Sequence, residues 1–457
     1  MDGLSIAFLI EGYTVKIEVK NMQKQIIIFI ILLSIFALPV FGAESIDNDI
    51  SGADTVWVLI CAALVMLMTP AVGLFYGGMV RQKNVLSIIT QSFIVLALIS
   101  IQWILWGYSL AFGPDAGGHG LIGGLQWIGL HGVGAAPNPD YAPTIPASVF
   151  MIYQAMFAII TPVLITGAFA DRMKFRTFIV FTLLWTTIVY DPIAHWVWGT
   201  GGWLRELGAL DFAGGLVVHI SAGLSALAAA IIIGKRIGFK SENMAPHNIP
   251  MTILGGILLW FGWFGFNAGS ALTAGSLAAN AFIVTNTSAS AGAISWMAIS
   301  WKHGGKPNAL GVVTGGVAGL AAITPASGFV GPIPAIIIGT VAGIICYLAM
   351  HFKNKKTNID DSLDVFACHG VGSAWGVITT GIFASVAINP AGVNGLIYGN
   401  YDLIRSQLIA VIVTGIYSFL VTAIILKILD AKMGLRVPDR EEIEGLDITQ
   451  HGEKAYV

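Results

Sequence analysis

The feature that most constrains this chain is a series of long apolar stretches with almost no charge inside them. They run at roughly 54–80, 84–113, 146–170, 175–199, 212–233, 249–268, 276–301, 308–323, 332–352, 364–385 and 402–429. At ~1.5 Å of helical rise per residue, each is about long enough to cross a hydrocarbon core ~30 Å thick, the eighth being the shortest. Only 11% of the 457 residues are charged, against about a quarter in soluble domains. So few charges cannot furnish a water-facing surface of this size. Lipid is therefore the solvent, and an all-α polytopic membrane protein with eleven transmembrane helices is predicted. A net charge of −2 gives no footing for nucleic-acid binding. Cys61, Cys346 and Cys368 all fall inside apolar segments and read as buried thiols.

The basic residues test the number of crossings. Beyond residue 44, Arg81 and Lys83 follow the first span, and Arg172, Lys174 and Arg176 the third. Lys235, Arg236 and Lys240 follow the fifth, Lys302 and Lys306 the seventh, and Lys353, Lys355 and Lys356 the ninth. Lys427, Lys432, Arg436, Arg440 and Lys454 close the chain. Only Arg205 and Arg405 fall on the other set of loops. A wrong span count would scramble this alternation. The bias predicts an outside N-terminus and a cytoplasmic C-terminus. Ahead of the spans, Lys16, Lys20 and Lys24 precede the apolar run Ile26 to Val40 and the small residues Gly42 and Ala43. This describes a secretory signal peptide over 1–43 with an upstream extension, Met22 being a candidate start; a retained first helix is the other reading. Residues 44–433 then form the transmembrane domain, and the polar stretch 434–457 a cytoplasmic tail.

Ionisable groups within a span are expensive and usually face a pore or a partner. His219 lies inside the fifth span, His369 inside the tenth, and Asp211 at the outer mouth of the fifth. The pairs Leu210-Asp211 and Leu363-Asp364 precede the two histidines in spans of opposite direction. That suggests two inverted five-helix repeats plus one extra helix, with a site at their interface. Neutral imidazole offers one donor and one acceptor, so two in line can pass a proton or guide a small polar solute. A packing role for each histidine, and a helix N-cap role for Asp211, are the plainer alternatives. No third ligand stands at metal spacing, so neither metal nor cofactor is assigned. Nor does a nucleophile–base pair mark an enzyme, and no catalytic residues are assigned. The clusters Trp196-Val197-Trp198-Gly199 and Trp260-Phe261-Gly262-Trp263-Phe264-Gly265-Phe266-Asn267 fit either an interfacial belt or an aromatic cage for a small cation.

Four longer motifs resolve this ambiguity by resemblance. Gly73-Leu74-Phe75-Tyr76-Gly77-Gly78-Met79-Val80-Arg81-Gln82-Lys83-Asn84 resembles the first-span signature of the Amt ammonium transporters. So do Asp211-Phe212-Ala213-Gly214-Gly215 through His219, Gly262 to Ser270, and Asp364-Val365-Phe366-Ala367-Cys368-His369-Gly370. The tail, with Gly434-Leu435-Arg436-Val437-Pro438 and His451-Gly452-Glu453, is also similar to that family's. The resemblance spans about residues 50–457. It implies a homotrimer in the cytoplasmic membrane, each subunit with its own pore for ammonium or ammonia, serving nitrogen assimilation. It also implies a P-II regulatory protein docking on the cytoplasmic face. By motif, Trp198, Phe157 and Ser270 would form an outer ammonium site, Phe157 and Phe266 a gate, and His219 and His369 the pore pair. Asp211 and Asp364 would be structural or electrostatic. Tyr153 departs from the family's phenylalanine and is expected to add a hydroxyl near the vestibule. An Rh-like gas channel and a sensor without flux are the competing classes.

These residues suit separation of ammonium from potassium, which has the same charge and a similar size. Ammonium alone can donate directed hydrogen bonds and lose a proton. Aromatic faces and a hydroxyl would recruit it, and an apolar pore would then admit only the neutral form.

Overall fold

The computed structural model describes residues 50–456, together with the backbone of 5–10 and 13–18. Ser5–Ile10 and Tyr13–Glu18 pair as an antiparallel hairpin within a unit of their own. The apolar run 26–40 and the expected cleavage point near Gly42 or Ala43 lie outside the described residues.

Eleven long helical segments follow, matching the eleven expected spans. They are α1 (Gly52–Met79), α2 (Gln82–Phe112), α3 (Ala147–Ala168), α4 (175–198), α5 (Gly215–Ile233) and α6 (Ile249–Ala268). The rest are α7 (Ser276–Gly304), α8 (Ala309–Ile323), α9 (Pro332–Lys356), α10 (366–383) and α11 (Tyr401–Met433). Eight are long and apolar enough to cross a membrane on their own; α7, α8 and α10 fall short by length or composition. The fold is thus an all-α, multi-pass membrane bundle.

Local sequence sets the helix ends. Ser51 Oγ accepts the Asp54 N–H at 3.2 Å, Asn248 Oδ1 that of Met251 at 2.9 Å, and Asn308 Oδ1 that of Gly311 at 2.5 Å. Each satisfies a donor that a helix start leaves free. The short α8 does not end in lipid. Residues 324–330 continue as turns that are all buried, with Phe212 N–H donating to Pro325 O at 3.1 Å and Ser385 N–H to Phe329 O at 2.9 Å. Irregular backbone at membrane depth is tolerated when protein covers it in this way.

Glycine brings the helices together. In α6, a Cβ at Gly262 would collide with Met68 and one at Gly265 would lie 2.6 Å from Leu64 Cβ, so α1 and α6 pack backbone to backbone. At the α7–α9 contact, a Cβ at Gly339 would collide with Ser288 O. Without water to drive helices together, such close van der Waals contact carries much of the association.

The loops confirm the alternation read from the basic residues. Arg81, after α1, pairs with Asp171, after α3, at 3.0 Å. Arg236, after α5, pairs with Asp360, after α9, at 2.8 Å. Arg172 is fully buried among them, donating to Gly234 O at 2.9 Å, Ala168 O at 3.0 Å and Asp360 O at 2.6 Å. Burial opposes the charge on Asp360, but the Arg236 and Arg172 guanidinium groups outweigh it and hold the carboxyl below the usual carboxylate range. At the opposite end, Ser51 N–H donates to Thr144 O at 2.8 Å and Tyr141 Oη to Phe112 O at 2.7 Å, joining the start of α1 to the end of α2 and the start of α3.

The tail is ordered against the basic end. It forms α12 (Asp439–Glu444) and α13 (Leu446–His451). Asn84 Oδ1 accepts Leu446 N–H at 2.8 Å, and the Asp447 carboxylate accepts the N–H groups of Leu86 at 3.1 Å and Ser87 at 2.8 Å. Glu442 accepts Ile237 N–H at 2.6 Å and pairs with Arg436 at 2.7 Å.

A Gly339→Val substitution should force α7 and α9 apart. We expect a loss of about 1–3 kcal/mol, seen as a lower melting temperature of the detergent-solubilised protein. An unchanged melting temperature would contradict this packing.

Candidate functional site: an aromatic column ending in a histidine pair

Five side chains from five helices form one continuous column. Trp198 at the end of α4 meets Phe157 of α3 edge to face, their centroids 6.0 Å apart at 89°. Phe157 lies 4.4 Å from Phe266 of α6. Phe266 stacks on His219 of α5 at 5.8 Å, and His219 on His369 of α10 at 5.1 Å. Trp198 is partly exposed, whereas the other four are at most 4% exposed. Every predicted gate, pore and outer-site residue is thus in this column or beside it.

Ser270 joins the column through Tyr153. The Ser270 hydroxyl donates to Phe266 O at 2.9 Å, which leaves its lone pairs free to accept. The Tyr153 hydroxyl lies 3.2 Å from Ser270 Oγ and 2.9 Å from both Gly265 O and Phe266 O. Tyr153 is fully buried. Its extra hydroxyl therefore anchors the end of α6 behind the outer site and does not open into a vestibule.

Two widened, π-helical turns carry the histidines: Gly215–Ile220 in α5 and Phe366–Val371 in α10. A widened turn breaks the regular helical register, a feature common at functional sites. The two Nδ1 atoms face each other at 3.2 Å across nearly parallel rings, 17° apart. Such a bond needs one Nδ1–H and one Nδ1 lone pair, so the two neutral rings hold opposite tautomers. His219 Nε2 finds no hydrogen-bond partner among the described residues. Close contact between α5 and α10 is made possible by Gly223, where a Cβ would collide with Gly370 N.

The column opens into two cavities. One of about 20 Å³ is lined by Phe75, Leu164, Trp263, Phe266, His219 and His369, and is large enough for about one water-sized molecule. The second, of about 520 Å³, shares Phe75, Tyr76 and His369 with the first and widens toward His303, His351 and Asp364 at the basic end.

Asp211 takes the N-cap role. Its Oδ1 accepts Gly214 N–H at 2.8 Å and Gly215 N–H at 2.6 Å; its Oδ2 accepts Leu216 N–H at 2.7 Å and Val217 N–H at 3.3 Å. Four donors occupy both oxygens, and the helix dipole adds to the stabilisation. Asp211 also ties back to the outer site, because Trp198 Nε1–H donates to its carbonyl at 2.8 Å.

Asp364 is not the equivalent group in α10. It pairs with Lys353 at 2.8 Å. The cap is Asp361, fully buried, which accepts Val365 N–H at 3.2 Å and Phe366 N–H at 2.9 Å. The signal was in the spacing: Asp361 precedes His369 by the same interval that separates Asp211 from His219. The sequence reading also passed over Asp191, fully buried within α4, whose Oδ2 accepts from Gln102 Nε2 at 2.8 Å. Its position inside an apolar run was legible.

Removing either cap exposes orphaned N–H groups in a dry setting. Asp211→Ala and Asp361→Ala should each lower thermal stability by about 1–3 kcal/mol, whereas Asp364→Ala should do so less. Equal losses in all three, measured by thermal unfolding in detergent, would refute this assignment.

Known proteins resemble this chain in sequence and fold. The Ammonium Transporter Family model matches residues 56–456. The ammonium transporter of Bacillus subtilis is 52% identical over 403 residues, covering 88% of this chain and 98% of that protein. Ammonium transporter Amt1 of Archaeoglobus fulgidus is 53% identical over 406 residues, covering 89% of this chain and all of that protein (100%). The crystal structure of Candida albicans Mep2 superposes with a TM-score of 0.83 at 38% identity, covering 90% of this chain and 92% of that one. A structure described as a sensor Amt protein superposes at 0.80 with 31% identity, covering 87% of this chain and 98% of that one. This multi-pass chain is a transporter and not an enzyme, and it belongs to the ammonium transporter family.

Proposed function

We propose that the protein takes up ammonium by recruiting the cation at Trp198, Phe157 and Ser270, removing one proton, and conducting ammonia past the Phe157–Phe266 gate and the His219–His369 pair. The observation that carries this reading is the unbroken column from Trp198 to His369, in which a partly exposed aromatic end leads to a narrow, largely apolar cavity of about 20 Å³. At the top, two π faces attract a cation, and the Ser270 lone pairs accept one of its N–H groups. Below, none of the described residues lining the narrow cavity carries a carboxylate, so an intact ion would meet a desolvation penalty of many kcal/mol. The released proton either stays outside or passes separately along the histidines. Relay needs a proton to be taken up at Nε2 of the ring that carries the Nδ1–H, that Nδ1–H to pass across the shared bond, and the second ring to release its Nε2–H, which leaves both rings neutral with their tautomers exchanged. Asp211 holds the backbone under the outer site and adds negative potential there.

In this reading the aromatic end faces outward and the basic end the cytoplasm, as the lysine and arginine bias supports. Residues 1–43 act as a cleaved leader, 44–433 as the transport domain and 434–457 as a regulatory tail. The protein works as a homotrimer in the cytoplasmic membrane, in two inverted five-helix halves plus α11. A P-II-type partner meets the tail, whose contacts with the α1–α2 and α5–α6 loops give it a route to the pore-forming helices.

Uptake into proteoliposomes provides the test. Trp198→Ala should raise the ammonium KM by roughly 2- to 30-fold, the equivalent of about 0.5–2 kcal/mol of cation–π attraction. Removing both pore imidazoles in a His219→Ala, His369→Ala protein should lower Vmax more than it changes KM. Wild-type kinetics in both proteins would reject the pathway. Deleting 434–457 should alter flux or its response to a P-II protein while the assembly persists, and unchanged, P-II-responsive flux would contradict the tail's role.

A further inference from the structure

His195 lies one turn before Trp198, is fully buried and is not part of the column. Its Nδ1 lies 3.0 Å from Ala111 O, at the end of α2. Nε2 lies 3.1 Å from Asp115 Oδ1, on the loop that follows α2. A backbone carbonyl can only accept, and so can a carboxylate. Whichever ring nitrogen carries hydrogen therefore has an acceptor within reach, and the ring bridges two acceptors from α2 and its loop.

The outer rim is built around this bridge. The chain turns back over the imidazole immediately after Trp198. A Cβ at Gly199 would sit 2.5 Å from His195 Nδ1, and one at Gly202 would collide with His195 O. The Trp198 carbonyl accepts from Arg205 Nη1 at 2.9 Å, and the Thr200 N–H donates to Tyr141 Oη at 2.9 Å. Tyr141 donates in turn to Phe112 O, beside the carbonyl that His195 holds. Trp196 Nε1–H donates to Leu121 O at 2.7 Å, on the same loop as Asp115. The indole of Trp198 thus rests on a turn whose base is pinned from one side by α2 and from the other by the 113–123 loop, through one imidazole ring.

We infer that His195 is a positioning residue for the outer site: its ring, held between Ala111 O and Asp115, fixes the turn that aims Trp198 at the incoming cation. This rests on the recruitment role proposed for Trp198. His195 touches no transported species, so its loss acts through Trp198. It should weaken capture and leave later steps intact.

The test compares ammonium uptake by proteoliposomes containing wild-type protein, His195→Phe, Asp115→Ala, Asp115→Asn and Trp198→Ala. Phenylalanine keeps the ring volume and removes both ring nitrogens. His195→Phe should raise KM roughly tenfold with Vmax within about twofold of wild type. Asp115→Ala, on a surface loop, should raise KM by a smaller factor. Asp115→Asn should restore near wild-type KM, because its amide can donate to Nε2 of a neutral ring while Nδ1–H still donates to Ala111 O. A wild-type KM in His195→Phe, alongside a raised KM in Trp198→Ala, would overturn this inference alone. So would an Asp115→Asn protein no better than Asp115→Ala. An unchanged KM in Trp198→Ala would reject the recruitment reading and the inference with it. Should His195→Phe fail to assemble, the two Asp115 variants decide: equal, wild-type KM in both overturns the inference, and their predicted separation supports it.

Discussion

A charge or an unpaired polar group inside a bilayer costs far more than it does in water, and the molecule is organised around that penalty. Asp211 and Asp361 are buried, yet each spends its oxygens on the free N–H groups at a helix start. Arg172 is buried too, with carbonyls from three loops around its guanidinium. Lys353 finds Asp364. His219 Nε2, in the wall of the narrow cavity, has no such partner among the described residues.

In the proposed reading, the same penalty gives the pore its discrimination. An aromatic end can attract any small cation, and π faces alone distinguish ammonium poorly from potassium. The narrow, apolar stretch beyond them would make the distinction, because its described lining offers no oxygen cage to replace a hydration shell. Only a species able to leave its charge behind passes cheaply. The histidine pair fits this role because each neutral ring presents both a donor and an acceptor, which suits ammonia as well as it suits a travelling proton. The widened turns in α5 and α10 serve the same end, since they bring the two Nδ1 atoms to 3.2 Å.

Much of this could be read before any coordinates. The eleven crossings followed from apolar length and from the alternation of basic loops, and Arg81, Asp171, Arg236 and Asp360 meeting at one end is the three-dimensional form of that alternation. His219, His369, Trp198, Phe157, Phe266 and Ser270 were legible through motifs. The rest depended on geometry that residue order does not carry. The Leu-Asp pair at 363–364 looked like a repeat of that at 210–211, but capping is set by the distance from carboxylate to helix start, and this selects Asp361. The Tyr153 hydroxyl was expected near the vestibule; it lies buried beside Ser270 Oγ and the Gly265 and Phe266 carbonyls, partners that residue order does not show. His195 and Asp191 were passed over because their meaning lies in partners from α2 and its loop, Ala111, Asp115 and Gln102, far away in sequence.

The central claim is that the transported nitrogen sheds its charge before it enters the apolar stretch. Ion flux through the unmodified, purified protein in sealed liposomes tests it most directly, with inward ammonium and inward potassium gradients applied in turn at the same concentration. The account predicts saturable uptake of nitrogen under the ammonium gradient and no potassium entry above that of protein-free vesicles. Sustained potassium permeation would show that an intact monovalent ion can cross the column, and would contradict the account.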